Sequence, residues 1–315
     1  MAIEELLSAA VAAPSLHNTQ PWRMRIKAKG TKIELFADAA RILPVADPQG
    51  RAAYIACGAA LFNLRVAAAA HGLLPTIRLM PDPGQALLVA EVELSEGYQA
   101  SPWEHELSAA VPLRRTDREP YSDVAVPPAI RAELTGAARS ENAVLRFLDE
   151  NEAVRVKHLL SDAERELRDD PAYREELARW VGHDRHGDGM PSEVLGPRSA
   201  IGPDQVRDFR ADRREPVRYA NFECRPQLAV LSVRGRSVPS WIAAGQALEC
   251  VWLTATCRGV SLCPLTQALE TPDAWLVHDT RLGSEYPQMI MRIGYGAPAK
   301  AQTPRRPIAD VSCWE

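Results

Sequence analysis

The chain has no long uninterrupted apolar run, no paired cysteine motif and no excess of positive charge, and each absence closes off a class of function. No stretch approaches the roughly 20 apolar residues of a bilayer-spanning helix, and the N-terminal MAIEELLSAAVAA opens with acids where a secretory leader carries basic residues. The expected location is cytoplasmic, with no membrane partner. Cys57, Cys224, Cys250, Cys257, Cys263 and Cys313 are scattered without a CxxC pair or nearby ligand histidines. That spacing argues against a zinc site or a disulfide framework and for reduced, mostly buried thiols. His183 and His186 read as solvated rather than metal-bound, so no metal is expected. The net charge of -4 leaves no basic field to gather nucleic acid. There is also no Ser-His-Asp set and no persuasive carboxylate pair, so no side chain is nominated as a catalytic acid or base.

What remains is an ordinary globular composition, 46% hydrophobic and 25% charged, in a 315-residue chain long enough for two core-forming units. Sliding the chain along itself exposes a repeat. AYIACGAALFNLRVAAAAHGL from Ala53 matches SWIAAGQALECVWLTATCRGV from Ser240, with Ile55 on Ile242, Gly58 on Gly245, Leu61 on Leu248 and Gly72 on Gly259. Both read as core helices, apolar nearly all round and ending at a glycine suited to a left-handed C-cap. An apolar strand follows each, ALLVAEVEL from Ala86 and QMIMRIGY from Gln288. Composition alone could produce such a match between two alanine-rich helices.

Trp22 to Asp38 reads as a hairpin turning at Lys29-Gly30. AVLRFLDE and QLAVLSVRG add strands, VPPAIRAELTGAARS adds a helix, and the long helix after Asp149 should break near Asp170-Pro171. Helices and strands mix without strict alternation, which predicts an α+β fold. The Gly- and Pro-rich stretch from Gly182 to Gln205 is too long for a plain connection and is a candidate lid.

Four clusters could carry chemistry. Pro14-Ser15-Leu16-His17-Asn18-Thr19-Gln20-Pro21-Trp22 packs donors and acceptors between two prolines and could address a planar heterocycle. It is equally a helix-ending turn in which Ser15 and Asn18 cap backbone groups. Arg114, Arg115, Thr116 and Arg118 could fork onto a phosphate, or form a solvated basic turn. Arg305 and Arg306 lie in a basic tail. Val260, Ser261, Leu262 and Cys263 leave the second repeated helix in what reads as a short irregular segment rich in backbone N–H groups, ending at Glu270.

Together these clusters resemble the nitroreductase family of FMN enzymes. The PSxxNxQPW element is matched at Pro14, Ser15, Asn18, Gln20, Pro21 and Trp22, and the Arg-Arg-Ser-x-Arg opening at Arg114, Arg115, Thr116 and Arg118. Gly294-Tyr295-Gly296 with Arg305 and Arg306 resembles the C-terminal strand and tail. Ordinary members are homodimers that build each FMN site from both subunits. Here the arginine motif opens the second half and PSxxN occurs only in the first, an arrangement that resembles the fused-repeat, Acg-like subfamily. The resemblance implies a nitroreductase-like internal pseudo-dimer: 1–112 as a first half supplying the PSxxNxQPW segment, and 113–315 as a second half supplying the arginines, the flavin loop and a lid near 182–205. It implies one FMN per chain, a mirror-related seat without FMN, and a monomer. Pro14, Ser15, His17, Asn18 and Gln20 would orient the ring and ribityl chain, Arg114, Arg115, Thr116, Arg118, Arg305 and Arg306 would hold the phosphate, and the backbone from Val260 to Cys263 would stabilise charge on the ring. Arg41 and Arg51 should matter far less. The implied activity is NAD(P)H-dependent two-electron reduction of a small nitro, quinone or other unsaturated acceptor. The alternative is a non-catalytic FMN-sequestering protein whose lid closes the site.

Overall fold

The computed structural model describes residues 3–182, 185–201, 206–210, 217–271, 285–297 and 301–315. Each repeated helix lies against its own antiparallel sheet. The first unit runs α1 (Ile3–Val11), β1 (Trp22–Lys27), β2 (Lys32–Ala37), α2 (Arg51–Ala70), β3 (Leu73–Leu79), β4 (Leu88–Glu96) and α3 (Pro102–Ala110). The hairpin turn falls at the expected dipeptide, where Lys29 and Gly30 take φ of 56° and 93°. The second unit runs α4 (Pro128–Ser140), β5 (Ala143–Phe147), α5 (Glu150–Asp169), α6 (Pro171–Ala178), β6 (Arg198–Ser199), β7 (Tyr219–Ala220), β8 (Gln227–Arg234), α7 (Val238–Cys257), β9 (Ser261–Pro264) and β10 (Glu285–Gly294). A tail adds α8 (Ile308–Val311) and β11 (Ser312–Trp314).

The two sheets share one topology. Their orders are β1-β2-β4-β3 and β5-β8-β10-β9, all neighbours antiparallel, and the tail strand β11 joins the first sheet parallel to β1. The fold is α+β. The units differ chiefly between their first two strands, where 28–31 make a tight turn in one and 148–226 form a large insertion in the other. That insertion contains the candidate lid, of which 183–184 and 202–205, His183 among them, lie outside the described residues. Pro171 ends α5 as anticipated, and the Asp170 side chain accepts from the Ala172 N–H to start α6.

Helices α2 and α7 span 20 residues each, offset by 238 − 51 = 187 positions. They cross at their glycines: a Cβ on Gly58 would overlap the Ile242 carbonyl, and one on Gly245 would overlap that of Ile55. The contact is reciprocal under the same offset (242 − 55 = 187 and 245 − 58 = 187), the pattern of an isologous interface between two copies of one surface. Although α2 is long and apolar enough to cross a bilayer, its faces are buried in protein. It is the centre of a core joining both sheets.

Candidate functional site

A cleft opens where the two units meet, beside the α2–α7 crossing. Its unfilled space, open mouth included, is about 1300 Å3. Segments from both sheets' surroundings line it: Pro14 to Asn18 and the start of α2, then Arg114, Arg115, Thr116 and Arg118 after α3, the middle of α7, Met190, Val194 and Phe209 of the insertion, and Ala301, Gln302, Thr303 and Arg305 of the tail.

Between its prolines the chain after α1 is forced into an unusual shape. His17, Asn18 and Gln20 all take left-handed backbone, φ 50°, 56° and 51°, a state that costs a non-glycine residue on the order of 1 kcal/mol or more. Hydrogen bonds hold it there. Ser15 Oγ accepts from the Gln20 N–H at 3.0 Å. Asn18 Nδ2 donates to Gly189 O at 2.8 Å and Pro304 O at 3.0 Å, and Gln20 Nε2 donates to Gly187 O at 2.8 Å. Gln20 Oε1 accepts from the Arg306 N–H at 2.9 Å. The amides of this motif therefore tie the lid and the tail to the first unit. Asn18, Ser15, His17 and Pro14 still line the cleft, whereas Gln20 does not.

Arginines dominate one wall. Arg114 and Arg305 both grip the carbonyl end of α1: Arg114 donates to Ala12 O at 2.9 Å, and Arg305 to Val11 O at 2.8 Å and Ala12 O at 3.1 Å, where the helix dipole favours cations. Arg114 also lies over the Trp252 ring, 4.6 Å from its centroid. Arg118 donates to Val194 O at 2.9 Å and stacks on Phe209 at 4.9 Å. Arg115 donates to the Pro112 and Arg114 carbonyls, and Thr116 lines the cleft beside it. Arg306 does not line it, and its guanidinium donates to Asp310 O. Burial lowers the pKa of Arg114, Arg115 and Arg118, and brings Arg305 down to about 9.

Sequence reasoning passed over several lining groups. Arg51, expected to matter little, is in the cleft wall at the start of α2, 9% exposed, donating to the backbone and side-chain oxygens of Gln288. Its signal in the sequence is an arginine opening a largely apolar helix. Glu270, at the end of the fourth cluster, is gripped by Arg207 of the insertion in a forked pair at 2.5 and 2.6 Å. Arg207 also bonds Thr266 Oγ1 at 2.9 Å and the Tyr173 hydroxyl. Burial raises the Glu270 pKa, but Arg207, with help from Thr266 and other neighbours, outweighs it and the net shift is downward.

The reading of 260–263 as irregular is corrected. Ser261 to Pro264 form β9, paired along β10; buried Leu262 and Cys263 stand side by side between half-buried Ser261 and Pro264, so no alternation shows in the sequence. The Val260 N–H caps α7 on Ala255 O, and the Leu262 carbonyl accepts from the Asp117 N–H. Val260, Ser261, Leu262 and Cys263 stand behind the wall, and Pro264 and Thr266 line it instead.

His17 is 2% exposed, edge-on to Phe209 at 5.6 Å and Tyr173 at 6.4 Å, and among the described residues neither ring nitrogen has a hydrogen-bond partner. Burial, reinforced by Arg207, brings its pKa down to about 3. It is a neutral imidazole at any physiological pH. His186 is exposed, and among the described residues no three His, Cys, Asp or Glu side chains are grouped to hold a metal ion.

No protein-family model matches the sequence. Mycobacterium tuberculosis Rv3131, provisionally named an NAD(P)H nitroreductase, is 32% identical over 320 residues, 99% of this chain and 91% of that protein. The acg protein of the same organism, given the same provisional name, is 30% identical over 324 residues, covering 98% and 94%. Among solved structures, the FMN-dependent nitroreductase NfnB of Mycobacterium smegmatis in complex with NADPH aligns with 67% of this chain and 98% of its own, at 14% identity and a TM-score of 0.40. On the full-length likeness to its mycobacterial relatives, the chain belongs to the nitroreductase family of oxidoreductases.

Proposed function

We propose that the cleft seats one FMN per chain and that the protein uses NAD(P)H to deliver two electrons to a nitro, quinone or other unsaturated small molecule. The observation that carries this reading is the convergence of Arg51, Arg114, Arg115, Arg118 and Arg305 on a cleft whose lining, among the described residues, includes one carboxylate, Glu270. Burial lowers the pKa of all five guanidinium groups. Such a donor set fits a phosphate monoester, whose oxygens accept forked, charge-assisted bonds. When bound, FMN supplies redox chemistry that no side chain here offers. Arg114, Arg115, Thr116, Arg118 and Arg305 would hold its phosphate. Pro14, Ser15, His17 and Asn18 would flank the ring, with His17 as a neutral hydrogen-bonding group, and Ile55, Leu248, Trp252 and Met289 would keep water from it. Gln20 and Arg306 act one step removed, by fixing the tail. The names of the mycobacterial relatives support NAD(P)H as the reductant.

We read the chain as two nitroreductase-like halves meeting near residue 112, the first giving the Pro14 to Gln20 segment and the second the arginines. The reciprocal glycine crossing and the matched sheet orders support this reading. A monomer with a single flavin follows from it.

One observation favours a second reading. The insertion is fastened to the site by Asn18, Gln20, the Arg41–Asp188 pair at 2.9 Å and the Arg207–Glu270 fork, and its Met190, Val194 and Phe209 form part of the wall. A cover so anchored would suit a protein that keeps its flavin from substrates. Anaerobic addition of NADH or NADPH to the yellow protein separates the two. Bleaching of the visible flavin band supports the oxidoreductase, persistent colour supports sequestration, and a colourless protein from a flavin-replete host contradicts both.

A further inference from the structure

We propose that Glu249 is the charge-balancing residue of the anion seat, ionised against Arg114 when no anion is bound and taking up a proton when a phosphate monoester binds. The proposal rests on the FMN reading above and adds a proton to it.

Glu249 sits in the middle of α7 at 0% exposure, and neither carboxylate oxygen has a hydrogen bond among the described residues. Its ion contact among the described residues is Arg114 Nε at 3.2 Å, itself on a side chain 4% exposed that lines the cleft. The Asn63 amide of α2, also fully buried, acts on it as a neutral neighbour that favours its charged form. A carboxylate so placed is costly, and a well-packed apolar residue would serve the helix better. The repeat shows what that residue is. The position 187 earlier, 249 − 187 = 62, is Phe62, fully buried in the same core. The half with the arginine seat carries an acid where its sibling carries a phenyl ring, which ties the acid to the seat rather than to the fold.

Without an anion, Glu249 offsets one guanidinium. A bound phosphate dianion would place a second negative group on the same arginines, in a setting too dry to screen it, and protonation of the carboxylate relieves the conflict. Burial already pushes Glu249 up to about 7, with Arg114 opposing. The groups acting on it are Arg114 from the segment after α3, Arg305 from the tail and Asn63 from α2, which does not titrate. On α7, Cys250 is held up to about 12 by burial and stays neutral. The sign follows. A like charge raises the carboxyl pKa further, so binding takes up a proton above pH 7, and FMN affinity falls there by up to tenfold per pH unit. Below about pH 6 the phosphate's own second proton weakens binding instead. Arg305, at about 9, contributes little between pH 7 and 8.

The test is calorimetric titration of FMN, and of riboflavin as the phosphate-free control, into the flavin-stripped full chain at pH 7.5 in two buffers of different ionisation enthalpy. Uptake on the order of half to one proton is expected with FMN, absent with riboflavin and lost in Glu249→Gln. Equal uptake in wild type and Glu249→Gln overturns the proposal while leaving the FMN reading intact; no FMN binding overturns both. Should the variant not fold, the wild-type profile decides: FMN affinity that does not fall relative to riboflavin between pH 7 and 8 also overturns it.

Discussion

Arg118 shows how a single side chain is committed in this cleft. One guanidinium nitrogen donates to the Val194 carbonyl, the plane rests on Phe209, and no carboxylate is paired with it among the described residues. A charge-assisted bond contributes about 1.5 to 3 kcal/mol, so Arg118→Ala is expected to raise the FMN dissociation constant roughly ten- to a hundredfold. Flavin-fluorescence titration measures this, and an unchanged constant removes Arg118 from the phosphate site. His17 gives a second prediction at this scale. Its folded pKa, about 3, lies below the ordinary 6.5, so its contribution to stability is complete above pH 6.5 and is lost as pH falls toward 3. The slope is about 1.4 kcal/mol per pH unit in that window. His17→Asn, which tolerates left-handed backbone, should flatten the fall of unfolding free energy between pH 6 and 4 in urea titrations; equal slopes in the two proteins would contradict a buried neutral imidazole. The Pro14 to Gln20 motif is legible in the sequence as a polar run between prolines. What Asn18 and Gln20 bond to is not, because Gly187, Gly189 and Pro304 lie more than 160 positions away.

Among the elements, α2 and α7 are the most legible, since small residues recur at one spacing in both and a glycine ends each. Their contact yields a symmetric prediction. Gly58→Ala and Gly245→Ala each drive a methyl group into a backbone carbonyl of the other helix, which cannot swing away as a flexible side chain would. Each should lower stability by about 1 to 3 kcal/mol or more, and by similar amounts, as read from urea midpoints. A neutral effect at either would break the reciprocity. The break at Asp170-Pro171 is written in the chain by proline. Strand β9 is not, because four residues ending in proline are too few to show alternation. Nor is the Arg207–Glu270 fork, whose partners stand 63 positions apart on segments that give no sign of meeting.

For the whole molecule, two four-stranded orders match strand for strand and the tail crosses back to the first sheet. The repeat of helix then strand is legible in the sequence; the place of the large insertion, where one hairpin has a tight turn and the other has residues 148–226, emerges only from the fold. The asymmetry at this scale is the heart of the account. Arg114, Arg115 and Arg118 follow α3, the Pro14 to Asn18 segment follows α1 about a hundred positions earlier, and both reach one cleft. The most direct test is the FMN-to-protein ratio after reconstitution with excess FMN and gel filtration, with Arg118→Ala run beside the wild type. The account predicts one flavin per polypeptide, retained by the wild type and depleted in the variant. A ratio of two, or none, would contradict it.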